Sequence, residues 1–226
     1  MKEYFKFPTT RYLTFPNKGI ERNDKLYSVD EMKELLRHQI IVEEKVDGAN
    51  LGISFNTDGE LCLQNRGNWL DEPYTGQWRT LGGWLAPKVD LLFETLFDRY
   101  ILFGEWCYAV HSVYYSMLPD LFIAFDVFDK LENKFFSVNE RNKMLKNLPI
   151  VVVHQCGKGV YSLKDLEYFF DKSFYGEDLC EGIYIRQDEG KWLKHRAKMV
   201  RKEFQQCISE HWSKKELKLN KVKWLV

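Results

Sequence analysis

The stretch Ile40-Ile41-Val42-Glu43-Glu44-Lys45-Val46-Asp47-Gly48-Ala49-Asn50-Leu51-Gly52-Ile53-Ser54-Phe55 reads as two extended runs, 40–44 and 50–55, on either side of an Asp-Gly turn. It leaves one lysine at the end of a buried strand, where burial weakens the ammonium form and can free an amine nucleophile near neutral pH. Just downstream, Asp58-Gly59 marks a hairpin turn into 61–64. Upstream, Ser28 with Glu31 forms a capping box that opens a helix running to about His38. Further on, 88–98 has helical spacing, while 100–106 and 121–128 read as buried strands. Ser137 with Glu140 starts another helix, followed by a strand at 151–153, a helix at 162–171 and a strand at 182–186. A strand around 191–199 and a helix from Lys202 to His211 complete the pattern. Strands and helices mix without regular β-α-β alternation, which predicts an α+β fold with mainly antiparallel sheet. With no repeat, low-complexity tract or linker, the whole of 1–226 is expected to be a single domain ending in a short basic helical tail from about 202.

The 226 residues are 45% hydrophobic and 15% aromatic, which excludes a disordered or collagen-like chain. The longest apolar runs, 121–125 and 150–153, are far too short to cross a bilayer. The start MKEYFKFPTTRY lacks the apolar core of a signal peptide, so the expected address is the cytoplasm, with no membrane partner. Five cysteines (62, 107, 156, 180, 207) contain no C-x-x-C pair and read as reduced thiols. His38, His111, His154, His195 and His211 show no metal-ligand spacing. Net charge is zero but unevenly spread: 1–190 hold 22 basic against 30 acidic residues (−8), and 191–226 hold 11 against 3 (+8). A basic segment on an acidic body suggests a local site for phosphates.

Four further segments follow the lysine in order: Leu102-Phe103-Gly104-Glu105-Trp106, Ala124-Phe125-Asp126-Val127-Phe128, Glu181-Gly182-Ile183-Tyr184-Ile185, and the basic run Lys191 to Arg201. With Lys45-Val46-Asp47-Gly48 they resemble the covalent nucleotidyltransferase superfamily of ATP-dependent ligases and mRNA capping enzymes, over residues 40 to about 202. The resemblance implies a nucleotidyltransferase (ATP-grasp-like ligase adenylation) domain, α+β with antiparallel sheets flanked by helices. It implies ATP and Mg²⁺ (or Mn²⁺) as cofactors and Lys45 as the catalytic residue that becomes lysyl-AMP. Lys198 and Arg196 would hold α-phosphate oxygens and depress the Lys45 pKa through like charge; Lys194 with Arg196 is the competing phosphate pair. Glu181 would bind the metal, a hard oxygen ligand for a hard cation. Glu105 would accept a ribose hydroxyl, Phe125 would stack on the adenine, and Glu43, with Glu44 as competitor, would meet the adenine edge.

Asn50 and the C-terminus select the branch. DNA ligases and capping enzymes usually carry arginine five residues after the nucleophile, where this chain has Asn50. RNA ligases of the phage T4 RNA ligase 2 type carry asparagine there and an arginine further on, which Arg66 in Gln64-Asn65-Arg66-Gly67 matches. Both residues are therefore expected to act on the polynucleotide ends. Only 28 residues follow Lys198, too few for the OB-fold domain of DNA ligases and capping enzymes or for the helical C-terminal domain of T4-type ligases. The expected function is an ATP-dependent RNA ligase that adenylates itself, passes AMP to a 5′-phosphate and joins it to a 3′-hydroxyl, with nicked or broken RNA as partner. The alternatives are a minimal ATP-dependent DNA ligase and a catalytically idle nucleotide- or end-binding module.

Overall fold

Ser28 accepts a hydrogen bond from the Glu31 N–H while the Glu31 carboxylate accepts from the Ser28 N–H, and α1 (Val29–Leu36) follows. The computed structural model describes residues 4–14, 26–202, 204 and 217–223. Ten strands form two sheets. A four-stranded antiparallel sheet has β1 (Ile40–Lys45) between β8 (Gln155–Gly159) and β9 (Gly182–Glu189), with β10 (Trp192–Val200) outside β9. A six-stranded sheet runs β3 (Leu61–Gln64), β2 (Ala49–Phe55), β4 (Tyr100–Trp106), β5 (Phe122–Asp129), β6 (Lys134–Phe135), with β7 (Val151–Val152) joined to β5 in parallel. The α+β reading and the mainly antiparallel pairing both hold. The hairpin turn is built on Asn56, whose Oδ1 accepts from the N–H groups of Asp58 and Glu60.

Each sheet buries a face under helices. Leu35 of α1 and Leu166 of α5 (Leu163–Glu167) pack on Ile40, Val42, Ile183, Ile185, Ala197 and Met199 of the four-stranded sheet. Leu81 and Leu85 of α2 (Leu81–Leu85), with Leu92 and Leu96 of α3 (Val89–Leu96), cover Leu51, Ile53, Leu102 and Val127 of the six-stranded sheet. Truncating one of the fully buried leucines to alanine costs about 2–5 kcal/mol. A further cluster, with Val46, Cys107, Tyr115, Ile123, Val153 and Val200, draws residues from both sheets and fills the junction between them.

Several elements differ from the sequence reading, the short α2 and β6 being absent from it. Strand β8, Gln-Cys-Gly-Lys-Gly, is an edge strand absent from the sequence reading; pairing with β1 overrides the low strand preference of its two glycines. Helix α5 stops at Glu167, and Phe169 and Phe170 continue only through tighter i to i−3 bonds. The helical tail is met only at Lys202 and Phe204; the expected helix to His211 otherwise lies outside the described residues, as do Lys214, Lys215, Trp224 and Leu225, whereas 217–223 runs extended. Among the described residues no helix is long and apolar enough to cross a membrane.

Candidate active site

Between Lys45, the last residue of β1, and Ala49, the first of β2, the chain leaves one sheet and enters the other in three residues. Gly48 is required there: a Cβ would stand 2.9 Å from the Trp106 carbonyl oxygen. Asp47 fixes the crossing, its Oδ2 accepting from the N–H groups of Ser112 (2.7 Å) and Val113 (2.9 Å), while its own N–H donates to the Tyr115 hydroxyl at 2.7 Å. Lys45 Nζ then donates to Glu181 Oε2 at 2.6 Å. Lys45 is opposite Gly182 in the β1–β9 ladder, and a Cβ on that glycine would collide with the Met199 carbonyl. Glycine at 182 thus lets β9 and β10 close up beside Glu181.

Lys45 lines a cleft that is open to solvent. The structure brings Glu43, Lys45, Asn50, Arg66, Glu105, Phe125 and Lys198 to its walls, with Glu181 on the lysine. Asn50 and Glu105 are partners across the β2–β4 ladder, and Asn50 Oδ1 and Glu105 Oε2 are both buried without a hydrogen-bond partner. Two adjacent orphan acceptors are costly unless a ligand donates to them. Phe125 is the extra residue of a β-bulge, since Phe103 pairs with Asp126 and Gly104 with Ala124. The bulge re-aims its ring into the cleft, where it meets Phe7 edge-on at 5.4 Å.

Phe7, Pro8 and Thr10 complete the wall, with Thr10 Oγ1 hydrogen-bonded to the Tyr184 hydroxyl at 3.2 Å. Sequence reasoning passed over this segment; its signal was the strand-like alternation Phe5-Lys6-Phe7, whose rings pack on Phe103, Phe128 and Phe135.

Electrostatics reverse one expectation. Burial opposes the Lys45 charge, but the carboxylates of Glu181, Glu105 and Asp47 outweigh it and hold the pKa above the ordinary lysine value. Like-charge depression by Lys198 and Arg196 is not what dominates. The carboxyls are displaced too: burial pushes Glu105 up to about 8 and Glu181 up to about 7, against the pull of Lys45.

Beside the cleft is a buried ion layer that the sequence did not disclose. Arg141 of α4 (Val138–Leu145) donates to Glu43 Oε1 at 2.6 Å, both side chains being 1% exposed. Arg186 reaches Asp126 at 2.5 Å and approaches Glu43 at 3.7 Å. Glu43 thus lines the cleft with its carboxylate already held by arginine; Glu44 lines it too, but its carboxylate is taken up by Ser173 and the Phe174 N–H. The available signal for Arg141 was its place on the buried face of α4 with Val138 and Leu145.

Arg196 lies behind the cleft wall, its guanidinium against the Tyr184 hydroxyl and the Phe7 ring. It does not line the cleft; its guanidinium donates to Asp126 Oδ2 at 3.1 Å and lies 3.9 Å from the Phe135 ring centroid. Lys194 is exposed and paired with Glu189 at 2.6 Å, because a register shift between Leu193 and His195 removes it from the alternation. Lys198 is the member of the basic strand that reaches the cleft.

The walls suit an adenosine nucleotide: an aromatic ring, two orphan acceptors for sugar hydroxyls or an amine, and cations for phosphate. For a metal, no group of three or more His, Cys, Asp or Glu is assembled among the described residues. A single carboxylate, Glu181, fits an ion that keeps several waters and takes phosphate oxygens, as Mg²⁺ does.

A family model described as RNA ligase matches residues 38–200, well over half of the chain. No curated protein matches it. Among solved structures, a Naegleria gruberi RNA ligase variant without ligand aligns over 79% of this chain and 54% of its own, at 15% identity and a TM-score of 0.60. Another variant of that ligase, solved with ATP and Mn, aligns over 89% and 59% at 17% identity and a TM-score of 0.62. An archaeal ATP-dependent RNA ligase aligns over 87% and 48% at 20% identity and a TM-score of 0.60. The chain spans about half the length of these structures, and the likeness carries the fold: antiparallel sheets flanked by helices. By the match of its residues 38–200, the chain belongs to the RNA ligase family.

Proposed function

We propose that this chain is an ATP-dependent RNA ligase that uses Lys45 as its nucleophile. The Lys45 amine, once deprotonated, attacks the α-phosphorus of ATP; a P–N bond forms, the bond to the β-phosphate breaks, and pyrophosphate leaves. An RNA 5′-phosphate oxygen then takes the adenylyl group and frees the lysine. Finally a 3′-hydroxyl attacks that 5′-phosphate, the phosphodiester forms, and AMP departs. The observation that carries this reading is the 2.6 Å contact of Lys45 with Glu181 in a cleft whose Glu105 and Asn50 present orphan acceptors.

In this reading Glu105 accepts a ribose hydroxyl, Phe125 stacks on adenine beside Phe7, and Glu43, braced by Arg141, meets the adenine edge. Lys198 holds an α-phosphate oxygen. Glu181 holds Mg²⁺ or Mn²⁺, which supplies charge neutralisation at the phosphates. Releasing Glu181 from Lys45 also removes the strongest anion that keeps the amine protonated. Asn50 and Arg66 place the RNA ends; a neutral amide beside an exposed guanidinium can bond sugar and phosphate. The reducing cytoplasm is the proposed setting, supported by the free thiols of Cys62, Cys107, Cys156 and Cys180.

The test is a covalent mass gain of one AMP on mixing with ATP and Mg²⁺, absent in Lys45→Ala. Sealing of nicks then separates substrates: ribonucleotides at the 3′-hydroxyl side should be preferred, since a 2′-hydroxyl or A-form shape is readable by protein. Equal or better sealing of all-DNA nicks would sink the RNA assignment.

A further inference from the structure

The C-terminal stretch 217–223 lies across the 107–118 loop. Val110 N–H donates to the Lys218 carbonyl at 2.8 Å, Lys221 N–H to Tyr115 at 2.9 Å, and Lys223 N–H to Leu118 at 2.7 Å. At the centre is Asn220, 8% exposed, whose side-chain amide donates to the carbonyls of Cys107 (2.8 Å) and Ala109 (3.1 Å) while its Oδ1 accepts from the Tyr115 N–H at 2.8 Å. One side chain thereby ties three points of the loop. The opposite side of the same loop presents the Ser112 and Val113 N–H groups and the Tyr115 hydroxyl that grip Asp47, two residues from Lys45.

We propose that this strap, latched by Asn220, positions the Lys45 crossing, so that Asn220 is a positioning residue for self-adenylation that acts through 107–118. The inference rests on the reading of Lys45 as the nucleophile. The side chain suits the task because only an amide offers two donors and an acceptor here. Aspartate would set an anion against two carbonyls, and alanine would leave two buried carbonyls and an N–H unpaired. It also redirects the basic tail: over 217–223 its backbone serves the adenylation site, where charge alone pointed to nucleic-acid phosphates.

Asn220→Ala, Asn220→Asp, Tyr115→Phe and the double variant Asn220→Ala/Tyr115→Phe are compared with wild type in single-turnover adenylation, each well below its own melting temperature. Asn220→Ala should slow the chemical step by about 10-fold to 100-fold, as small misplacements of a nucleophile do. ATP affinity should stay within about twofold, marking a loss confined to the reacting geometry. The double variant should be little slower than the worse single one, because both act on one chain of contacts. Lys221→Ala and Lys223→Ala, which keep the backbone pairing, should adenylate at the wild-type rate. Hydrogen exchange gives a readout independent of activity: the Asp47, Ser112 and Val113 amides should lose protection in Asn220→Ala while β9 keeps its own.

A wild-type rate in Asn220→Ala or in Tyr115→Phe, or unchanged protection at 112 and 113, overturns the proposal. A fall in melting temperature with no loss of rate per folded molecule also overturns it, leaving Asn220 a purely structural latch. If the wild type takes up no AMP, the Lys45 reading is what fails, and the exchange data still report whether the latch holds the loop.

Discussion

Two clusters of charge lie side by side in this molecule and are built on opposite terms. In the ion layer of Glu43, Asp126, Arg141, Arg186 and Arg196, every carboxylate oxygen faces a guanidinium. In the cleft, three carboxylates share one lysine, Glu105 keeps an orphan oxygen, and the carboxyl pKa values of Glu105 and Glu181 lie far above the ordinary range. The first arrangement is saturated at its carboxylates, with Arg186 Nε its one atom among the unpartnered buried groups, and it supports the pocket wall. The second is short of partners, which is the condition for binding and for moving protons. The contrast separates residues that hold the site from residues that act in it, although both sets are buried and charged.

Substitutions in the two clusters test that division, in descending order of effect. Lys45→Ala should abolish labelling by α-labelled ATP with the fold retained, and Lys45→Arg should be equally inactive because guanidinium does not deprotonate at working pH. Labelling of another lysine in either variant would refute the nucleophile. Glu181→Ala, Glu105→Ala and Lys198→Ala should each slow adenylation by about 100-fold or more, the loss that follows removal of a preorganised charge. Wild-type rates with Mg²⁺ in Glu181→Ala would remove its metal role.

On the saturated side, Arg141→Met should destabilise the fold by about 3–5 kcal/mol by stranding Glu43, read as a lower midpoint in urea. Arg196→Ala, which leaves the cleft walls in place, should alter adenylation by only a few-fold; a 100-fold loss would return Arg196 to the phosphate site. The smallest effect is on pH dependence. Glu105 and Glu181 titrate near 8 and 7 in the fold but near 4.5 when unfolded, so the folded state binds more protons between those values. Stability from this pair therefore declines as pH rises from about 4.5 to about 8. The raised Lys45 acts only above its ordinary 10.5 and leaves that window alone. Glu105→Gln should flatten the decline in melting temperature across the window; an unchanged slope would mean that Glu105 ionises normally.

The strand pair around Lys45 and strands β4 and β9 were legible because apolar runs bounded by turn residues are local signals, whereas the convergence of Lys45, Glu105, Phe125, Glu181 and Lys198 was implied by the resemblance their ordered motifs carry. Orientation was not legible. Arg196 and Lys198 lie on the same strand face, and only the distant Asp126 and Phe135 decide that one turns away. The bulge that aims Phe125 depends on register with β4, and the wall formed by Phe7 to Thr10 depends on 11–13 pairing alongside β10. The charge state of Lys45 reads wrongly from sequence because its adjacent Glu44 is taken up by Ser173 and the Phe174 N–H and does not reach the amine. In space the nearest group is a glutamate 136 positions away.

The three-residue passage from β1 to β2 carries a mechanical consequence. Lys45 and Glu181 ride on one sheet, whereas Asn50 and Glu105 ride on the other. A molecule gripped at once by Glu105 and Glu181 is a strut between two plates, and any tilt of one plate against the other changes the distance from amine to phosphorus before it disturbs either grip. On the proposed reading, a nucleotide held by both sheets would square the plates and bring the lysine into line.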